Sequence, residues 1–319
     1  MTQTLQAIVT SRHSETDSIA VFELRAQDGG ELPAFTAGAH VDLYLPNGLV
    51  RSYSLTNDQN ECDRYVIGVS RDAASRGGSQ YVHEHVQVGT VLTIDYPRNN
   101  FELDENAARS IFVAGGIGIT PILSMTRRLE ELGHPWTLHY CTRTRAHAAF
   151  LDYLGTPGAF KHGEVILRFD QEPGQGMLDL DALAAGAEPG THLYCCGPTP
   201  MLSAFEQAVA RRPDCVGHLE YFANTQAAAI EGGFEVMLAM AQRSIVVPEG
   251  KSILDALLEA GIDAPYSCHE GVCGTCETRV LEGVPDHRDL VLSRAEHESG
   301  KVMMICVSGC KGKKLVLDM

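Results

Sequence analysis

The chain has 319 residues, a formal charge of −16 at neutral pH and ten cysteines. That length exceeds what a single hydrophobic core usually organises, so two or three domains are expected. The acidic balance argues against a general nucleic-acid binder or a protein that docks on anionic membrane, because both need a basic face, and it suits a soluble protein with a protein partner. No signal-peptide pattern opens the sequence and four of the cysteines have a ligand spacing, so a reducing cytoplasm is expected rather than a disulfide scaffold.

Residues 1–105 alternate apolar and polar side chains in short runs, such as Val41–Leu45 and Tyr65–Val69, separated by turn residues such as Pro46-Asn47-Gly48. This pattern predicts a small antiparallel β-barrel. Arg51, Ser52, Tyr53 and Ser54 begin a strand within it. Alternation puts Arg51 and Tyr53 on one face, where a guanidinium fork suits a phosphate, the phenol ring offers a flat surface, and Ser54 could bond a ring nitrogen. An exposed strand arginine beside a core tyrosine is the plainer alternative. Arg76, Gly77, Gly78 and Ser79 precede a short helical stretch. Successive glycine N–H groups there can form an anion nest fit for a flavin phosphate, or simply a flexible turn.

Residues 106–224 change texture to short buried strands at Ser110–Ala114, Thr137–Cys141 and His192–Cys196 with helices between, which predicts a parallel α/β domain. The apolar run Ser110–Thr126 contains three glycines and a proline and is too short to span a membrane. It reads as strand, turn and helix. Gly115, Gly116 and Gly118 form the turn, with Thr120 expected to cap the helix and Pro121 to occupy its first position, leaving N–H groups free for a dinucleotide pyrophosphate. Cys196, Gly197 and Pro198 end a later strand, at the carboxyl edge where open α/β sheets bind ligands. The adjacent Cys195 and Cys196 point to opposite sides, so at least one is expected to be core packing.

Residues 223–232 are small and polar without strand alternation and read as a linker. Residues 233–319 open with strand-like runs at Phe234–Ala239 and Ser244–Pro248, followed by a capped helix from Ser252 that stops at Gly261. Cys268, Cys273, Cys276 and Cys306 then follow with the C-x4-C-x2-C…C spacing of plant-type [2Fe-2S] ligation. Gly271 and Gly274 would let backbone N–H groups approach the sulfurs. Structural zinc is the competing metal. Cys310 is not expected to be a ligand, and the thirteen histidines, His83-Glu84-His85 included, show no metal-ligand motif and read as solvated.

The motifs RSYS, RGGS, GGIGITP, YCCGP and C-x4-C-x2-C…C, in this order over nearly the whole chain, resemble the phthalate dioxygenase reductase family, which includes vanillate demethylase reductases. The resemblance implies an FMN barrel, an NADH-binding α/β domain and a β-grasp plant-type ferredoxin domain, with electrons passed from NADH through FMN and a [2Fe-2S] cluster to a separate Rieske-type oxygenase that acts on an aromatic compound. It places flavin contacts on Arg51 to Ser54, on Gly68, Val69 and Ser70, and on Arg76 to Ser79. It places the nicotinamide site on Gly115 to Pro121 and on Cys196 to Pro198, and an aromatic ring against the flavin at Phe222. Thr142-Arg143-Thr144-Arg145 departs from the family pattern, in which an acidic residue stands near position 144. That departure leaves NADPH open and Asp170 as the candidate for the ribose hydroxyls. A monomer is expected. A free-standing flavin or ferric reductase, or a cluster-based redox sensor, would be the other readings.

Overall fold

The computed structural model describes residues 3–72, 77–156, 158–224 and 226–319. The chain forms two compact units that part between Glu220 and Tyr221.

The first unit opens with strands β1 (Thr4–Ser14), β2 (Ile19–Ala26), β3 (His40–Tyr44), β4 (Val50–Ser54), β5 (Tyr65–Ser70) and β6 (Val91–Asp95), and helix α1 (Gly78–His85). The antiparallel strands lie in the order β4-β3-β6-β1-β2-β5. Leu55 bridges Ile67 and the Thr56 N–H donates to the Val66 carbonyl at 2.8 Å, so the two edge strands meet and close the barrel. Leu24, Val41, Leu43, Ile67 and Val69 fill its interior.

Strict alternation fails on β3, because Asp42, between Val41 and Leu43, is also fully buried. Its carboxylate accepts from Ser52 Oγ at 2.5 Å and from Arg98 Nη2 at 2.6 Å. Arg98 also pairs with Asp95, whose Oδ1 accepts the Asp42 N–H at 2.6 Å. Burial, with the Asp42 charge beside it, pushes Asp95 up to about 6 against the pull of Arg98. The charges are tolerated inside because each is paired and hydrogen-bonded, and together they tie β3, β4 and β6.

The same unit continues with β7 (Ser110–Gly115), α2 (Ile119–Leu132), β8 (Trp136–Thr142), α3 (Leu151–Leu154), β9 (Gly163–Phe169), α4 (Leu180–Gly186), β10 (His192–Cys196), α5 (Thr199–Val209) and β11 (Val216–Glu220). The strands pair in parallel in the order β11-β10-β7-β8-β9. The chain leaves β7 toward β8 and β9 and later returns to β7's other side, which opens a crevice between β7 and β10. The α/β layer is held to the barrel by Gly38 N–H to Ser124 Oγ at 3.0 Å, Arg127 Nε to the Thr56 carbonyl at 3.2 Å and Phe150 N–H to Glu15 Oε2 at 2.7 Å. No described helix is long and apolar enough to cross a membrane.

One cap differs from expectation. Helix α2 starts at Ile119, straight out of a 3-10 turn over Gly116–Gly118, with Gly118 at the N-cap and no capping side chain. Thr120 is already inside the helix, and its Oγ1 donates to the Ile117 carbonyl at 2.9 Å. Pro121 still falls in the first turn, where a missing N–H needs no partner.

The second unit contains β12 (Phe234–Leu238), β13 (Arg243–Val247), α6 (Ile253–Glu259), β14 (Glu277–Glu282), β15 (Pro285–Asp286), α7 (Arg294–Ser299), β16 (Val302–Met304), β17 (Gly309–Cys310) and β18 (Lys314–Leu317). Its main sheet runs β13-β12-β18-β14-β16, with β12 and β18 parallel at the centre. Ser252 and Asp255 form the expected capping box of α6, whose Ile253, Leu254 and Leu257 pack with Val236, Leu238, Leu315 and Leu317. The segment that composition marks as a linker is tied down at its C-terminal half. Ala229 is buried, its N–H donates to the Val307 carbonyl at 2.7 Å, and Ile230 accepts from Gly250 at 2.8 Å. Its small side chains serve close packing.

Replacing Arg98 with Met should destabilise the first unit by about 3–5 kcal/mol, because it leaves two buried carboxylates without their cation. Arg98→Met combined with Asp42→Asn should recover part of that loss. Urea unfolding of the three proteins measures both, and a loss under about 1 kcal/mol for Arg98→Met would show that the network is not stabilising.

Candidate functional site

The barrel contributes the first cradle. On β4 the alternation holds, with Arg51 and Tyr53 on one face and Ser52 and Ser54 on the other. Ser52 therefore spends its hydroxyl on Asp42, and Ser54 is buried. Tyr53 packs against the barrel core, and burial raises its hydroxyl above the usual phenol range. The Arg51 side chain crosses the start of α1, where a Cβ on Gly78 would stand 2.5 Å from Arg51 Nε. Gly77 takes a left-handed φ of 92° at the N-cap of α1, a conformation that favours glycine. A guanidinium set against a helix N-terminus suits a phosphate. Ser79 belongs to the same turn, and its Oγ accepts the Asp72 N–H at 3.3 Å. Arg76 lies outside the described residues.

Gly68 on β5 faces the α/β layer, where a Cβ would meet Thr120 Cγ2 at 2.9 Å and Phe150 Cζ at 3.3 Å. Val69 instead sends its side chain into the barrel core, and its carbonyl is held by His83 Nε2 at 2.9 Å. His83 is therefore a buried structural residue rather than a solvated one. Ser70 ends the strand, partly buried. Phe150, which no sequence signal marked, is a non-glycine residue at φ 60° beside Gly68, a strained conformation of the kind that gathers near functional surfaces.

The second cradle is the crevice between β7 and β10. A Cβ at Gly118 would stand 2.1 Å from the Cys196 carbonyl oxygen, and one at Gly115 would stand 2.6 Å from Pro198 Cδ and 3.2 Å from Gly197 Cα. The two motifs, far apart in sequence, are thus one structure, with the start of α2 packed against the end of β10 at a distance that only glycines allow. Cys196 is fully buried. Its Sγ lies 3.9 Å from Glu220 Oε2 at the end of β11. Glu220 as a residue is only partly buried, yet its carboxyl is dehydrated, which pushes it up to about 8 against the pull of Cys196. Dehydration and the neighbouring Glu220 also hold the Cys196 thiol above its usual range. Sequence reasoning missed Glu220, because nothing in Val216–Glu220 marks a carboxylate that meets Cys196 only through β10–β11 pairing.

Asp170 follows β9 at the same carboxyl edge of the sheet, its N–H bonded to the Thr142 carbonyl at 3.1 Å. Its Oδ1 is buried and has no hydrogen-bond partner among the described residues, as an acceptor reserved for hydroxyls would be. Arg145 lies over the Phe169 ring at 5.0 Å.

The third cradle is in the second unit. Cys268, Cys273, Cys276 and Cys306 are all free thiols, the last three buried. Hydrogen-bond donation from Cys273 and Cys306, followed by the amides of Val272 and Glu270, holds the Cys268 thiol far below its usual range despite burial. Cys306 in turn interacts with both Cys268 and Cys276, so the four sulfurs lie together. The Glu270 N–H reaches Cys268 Sγ at 3.3 Å, and Thr275 Oγ1 lies 3.2 Å from Cys273 Sγ. Gly271 and Gly274 take positive φ as expected, and so does His269. A Cβ on Gly271 would also strike Val307 Cγ2 at 2.5 Å, beside the fourth cysteine. Four clustered thiols with amide donors directed at sulfur fit an iron–sulfur cluster. Cys310 Sγ bonds instead to the Gly312 N–H at 3.2 Å and to the Lys314 carbonyl. Phe222 stands at the start of this unit, 40% exposed.

Residues 112–207 match the oxidoreductase NAD-binding domain family, and residues 237–311 match the 2Fe-2S iron-sulfur cluster binding domain family. Phenoxybenzoate dioxygenase subunit beta of Ectopseudomonas oleovorans is 53% identical over 303 residues, covering 95% of this chain and 93% of that protein. The crystal structure of phthalate dioxygenase reductase, described as modular for electron transfer from pyridine nucleotides to [2Fe-2S], is 37% identical with a TM-score of 0.74, covering 99% of this chain and 98% of that one. An intact type IV self-sufficient cytochrome P450 monooxygenase is 39% identical with a TM-score of 0.88. The match covers 99% of this chain, which spans only 41% of that longer one.

Cys306→Ser should abolish the visible absorption of the cluster, whereas Cys310→Ser should leave iron content unchanged; loss of iron in the second variant would show the ligand set to be different. Glu220 generates a pH dependence. Between its ordinary value of 4.5 and about 8 the folded chain holds a proton that the unfolded chain has released. Its contribution is therefore greatest below about 4.5 and declines as pH rises toward about 8, with a slope of ~1.4 kcal/mol per unit. Glu220→Gln should flatten that decline in thermal unfolding scans from pH 5 to 8, and parallel curves for the two proteins would exclude it.

Proposed function

The chain belongs to the phthalate dioxygenase reductase family, and we propose that it is the NADH-dependent reductase component of a Rieske-type aromatic-ring oxygenase or demethylase system. A bound FMN would supply conversion of a two-electron hydride from NADH into single electrons, and a [2Fe-2S] cluster held by Cys268, Cys273, Cys276 and Cys306 would supply one-electron transfer toward the oxygenase. The observation that carries this reading is the presence, in one chain, of a dinucleotide crevice at a switch point and four converging thiols.

The chain's own residues act by binding and orienting. Residues 1–105 form the FMN domain, with Arg51 at the N-terminus of α1 holding the phosphate, and Tyr53, the strand end at Ser54, Gly68 and Ser70 bordering the ring. Residues 106–224 form the NADH domain, where Gly115, Gly116 and Gly118 give the pyrophosphate room against the start of α2. Thr120 and Pro121 shape that first turn, and Cys196, Gly197 and Pro198 line the opposite wall toward the nicotinamide. Asp170 accepts from the ribose hydroxyls and would repel a 2′-phosphate, which favours NADH although Arg143 and Arg145 are near in sequence. Residues 233–319 form the ferredoxin domain, in which Cys268, Cys273, Cys276 and Cys306 ligate the cluster. A cytoplasmic monomer with an acidic surface and no nucleic-acid partner completes the reading.

The test is reconstitution of the FMN- and iron-loaded chain with a purified Rieske oxygenase. Turnover should proceed with NADH, kcat/KM for NADH should exceed that for NADPH, and Asp170→Asn should narrow the difference by about tenfold. NADH oxidation without any transfer to oxygenases would identify a free-standing reductase, and equal use of NADPH would assign the 2′-phosphate to the arginines.

A further inference from the structure

His287 and Asp289 follow β15, and His297 lies on α7. Their side chains meet. His297 Nε2 is 3.2 Å from Asp289 Oδ2, and His287 Nδ1 is 3.6 Å from Asp289 Oδ1. The two imidazole rings stack with centroids 4.4 Å apart and 21° between their planes. One donor atom from each of the three residues lies within 4.8 Å of the others. The His287 side chain is 9% exposed, and neither of its ring nitrogens has a hydrogen-bond partner among the described residues.

Leaving two buried imidazole nitrogens unsatisfied is costly, so their arrangement calls for an occupant. A proton fits poorly. Dehydration first, then His297 and Lys311, hold His287 below the usual imidazole range against the pull of Asp289, so the ring keeps a lone pair to offer. Two imidazoles and one carboxylate are the donor set of a borderline divalent metal ion, zinc foremost. The carboxylate is already oriented by outer donors, with the Leu292 N–H on Oδ2 at 3.0 Å and Ser308 Oγ on Oδ1 at 3.4 Å. Ligands around a tetrahedral ion with ~2.0–2.1 Å bonds stand about 3.3 Å apart; each imidazole already lies near that distance from one oxygen of the shared carboxylate, His297 from Oδ2 and His287 from Oδ1. The remaining adjustment falls to His297, which is 30% exposed and has to turn off its stacked position over His287 to aim a ring nitrogen at the ion.

We infer that His287, Asp289 and His297 form a binding site for a zinc-class divalent cation, additional to the four cysteines and independent of the redox reading. The site backs the cysteine loop. A Cβ on Gly271 would stand 3.1 Å from Asp289 Cα, and the Leu290 N–H donates to the Gly271 carbonyl at 2.9 Å. An ion there clamps the segment on which that loop rests.

The test uses the full-length, iron-loaded protein dialysed against free zinc in a thiol-free reductant, with zinc and iron counted together by mass spectrometry. The chain should take up a single zinc with its iron unchanged. His287→Gln and His297→Gln should each weaken uptake by more than about 100-fold, since losing even an outer partner of a ligand costs ~10–100-fold, while the visible spectrum of the cluster persists. His297 is the more exposed of the pair, so its variant stays folded and decides the matter if His287→Gln does not. No uptake by the parent protein, equal uptake by His297→Gln, or zinc gained only as iron is lost would each overturn the assignment. Absent iron with zinc still held by these histidines would instead count against the iron–sulfur reading alone.

Discussion

A methyl group on Gly118 would stand 2.1 Å from the Cys196 carbonyl oxygen, a separation no pair of atoms tolerates without moving the sheet. That contact fixes how closely the start of α2 can approach the end of β10, and therefore the shape of the crevice between β7 and β10. The same constraint recurs at each cradle. Arg51 can lie across the start of α1 only because Gly78 has no side chain, and the cysteine loop can settle against Val307 only because Gly271 has none. Each cofactor surface is made of backbone, and backbone reaches it only where a side chain has been removed.

Close approach has to be held in place, and the chain does so with buried polar pairing as well as apolar packing. In the barrel, Arg98 between Asp42 and Asp95 locks β3 to β6, and Ser52 extends the lock to the strand that carries Arg51 and Tyr53. The side of β4 that points away from the phosphate cradle thereby sets the position of the side that faces it. In the second unit Asp289 plays a comparable part, receiving Leu292 and Ser308 while lying beneath Gly271. Removing one member of such a set costs more than the set contributes, because the partners stay buried without compensation.

Charge distribution follows the chemistry. At the carboxyl ends of β10 and β11 dehydration raises both Cys196 and Glu220, so each favours its neutral form there. The cysteine loop does the opposite, using thiol and amide donors to favour a thiolate at Cys268. Within the loop the shift is divided, with Cys268 lowered while Cys273 and Cys306, paired with it, are raised as Cys196 is.

Where the requirement was local, sequence determined it by itself. Cysteine spacing, the capping box at Ser252, the glycine run before α2 and the residue types of the Arg51–Ser54 strand each report on bonds made within a few residues, so the three-part architecture and most of the cradle residues were legible. Only tertiary structure decided what depends on pairing between distant strands. Glu220 reaches Cys196 through β10–β11 register, Asp42 is buried because Arg98 arrives from the far side of β6, and His287 and His297 meet across a turn and a helix. The Ala-rich stretch before Gly233 has a linker's composition, yet Ala229 is buried because Gly309 leaves room for it. Thr120 has the chemistry of a cap but lost that place to Gly118, since three glycines wind a tighter turn than a capped start allows. In the cases that rest on pairing, the side chain's chemistry was visible in the sequence, while its partner was fixed by a fold that brings together residues about ten to eighty positions apart.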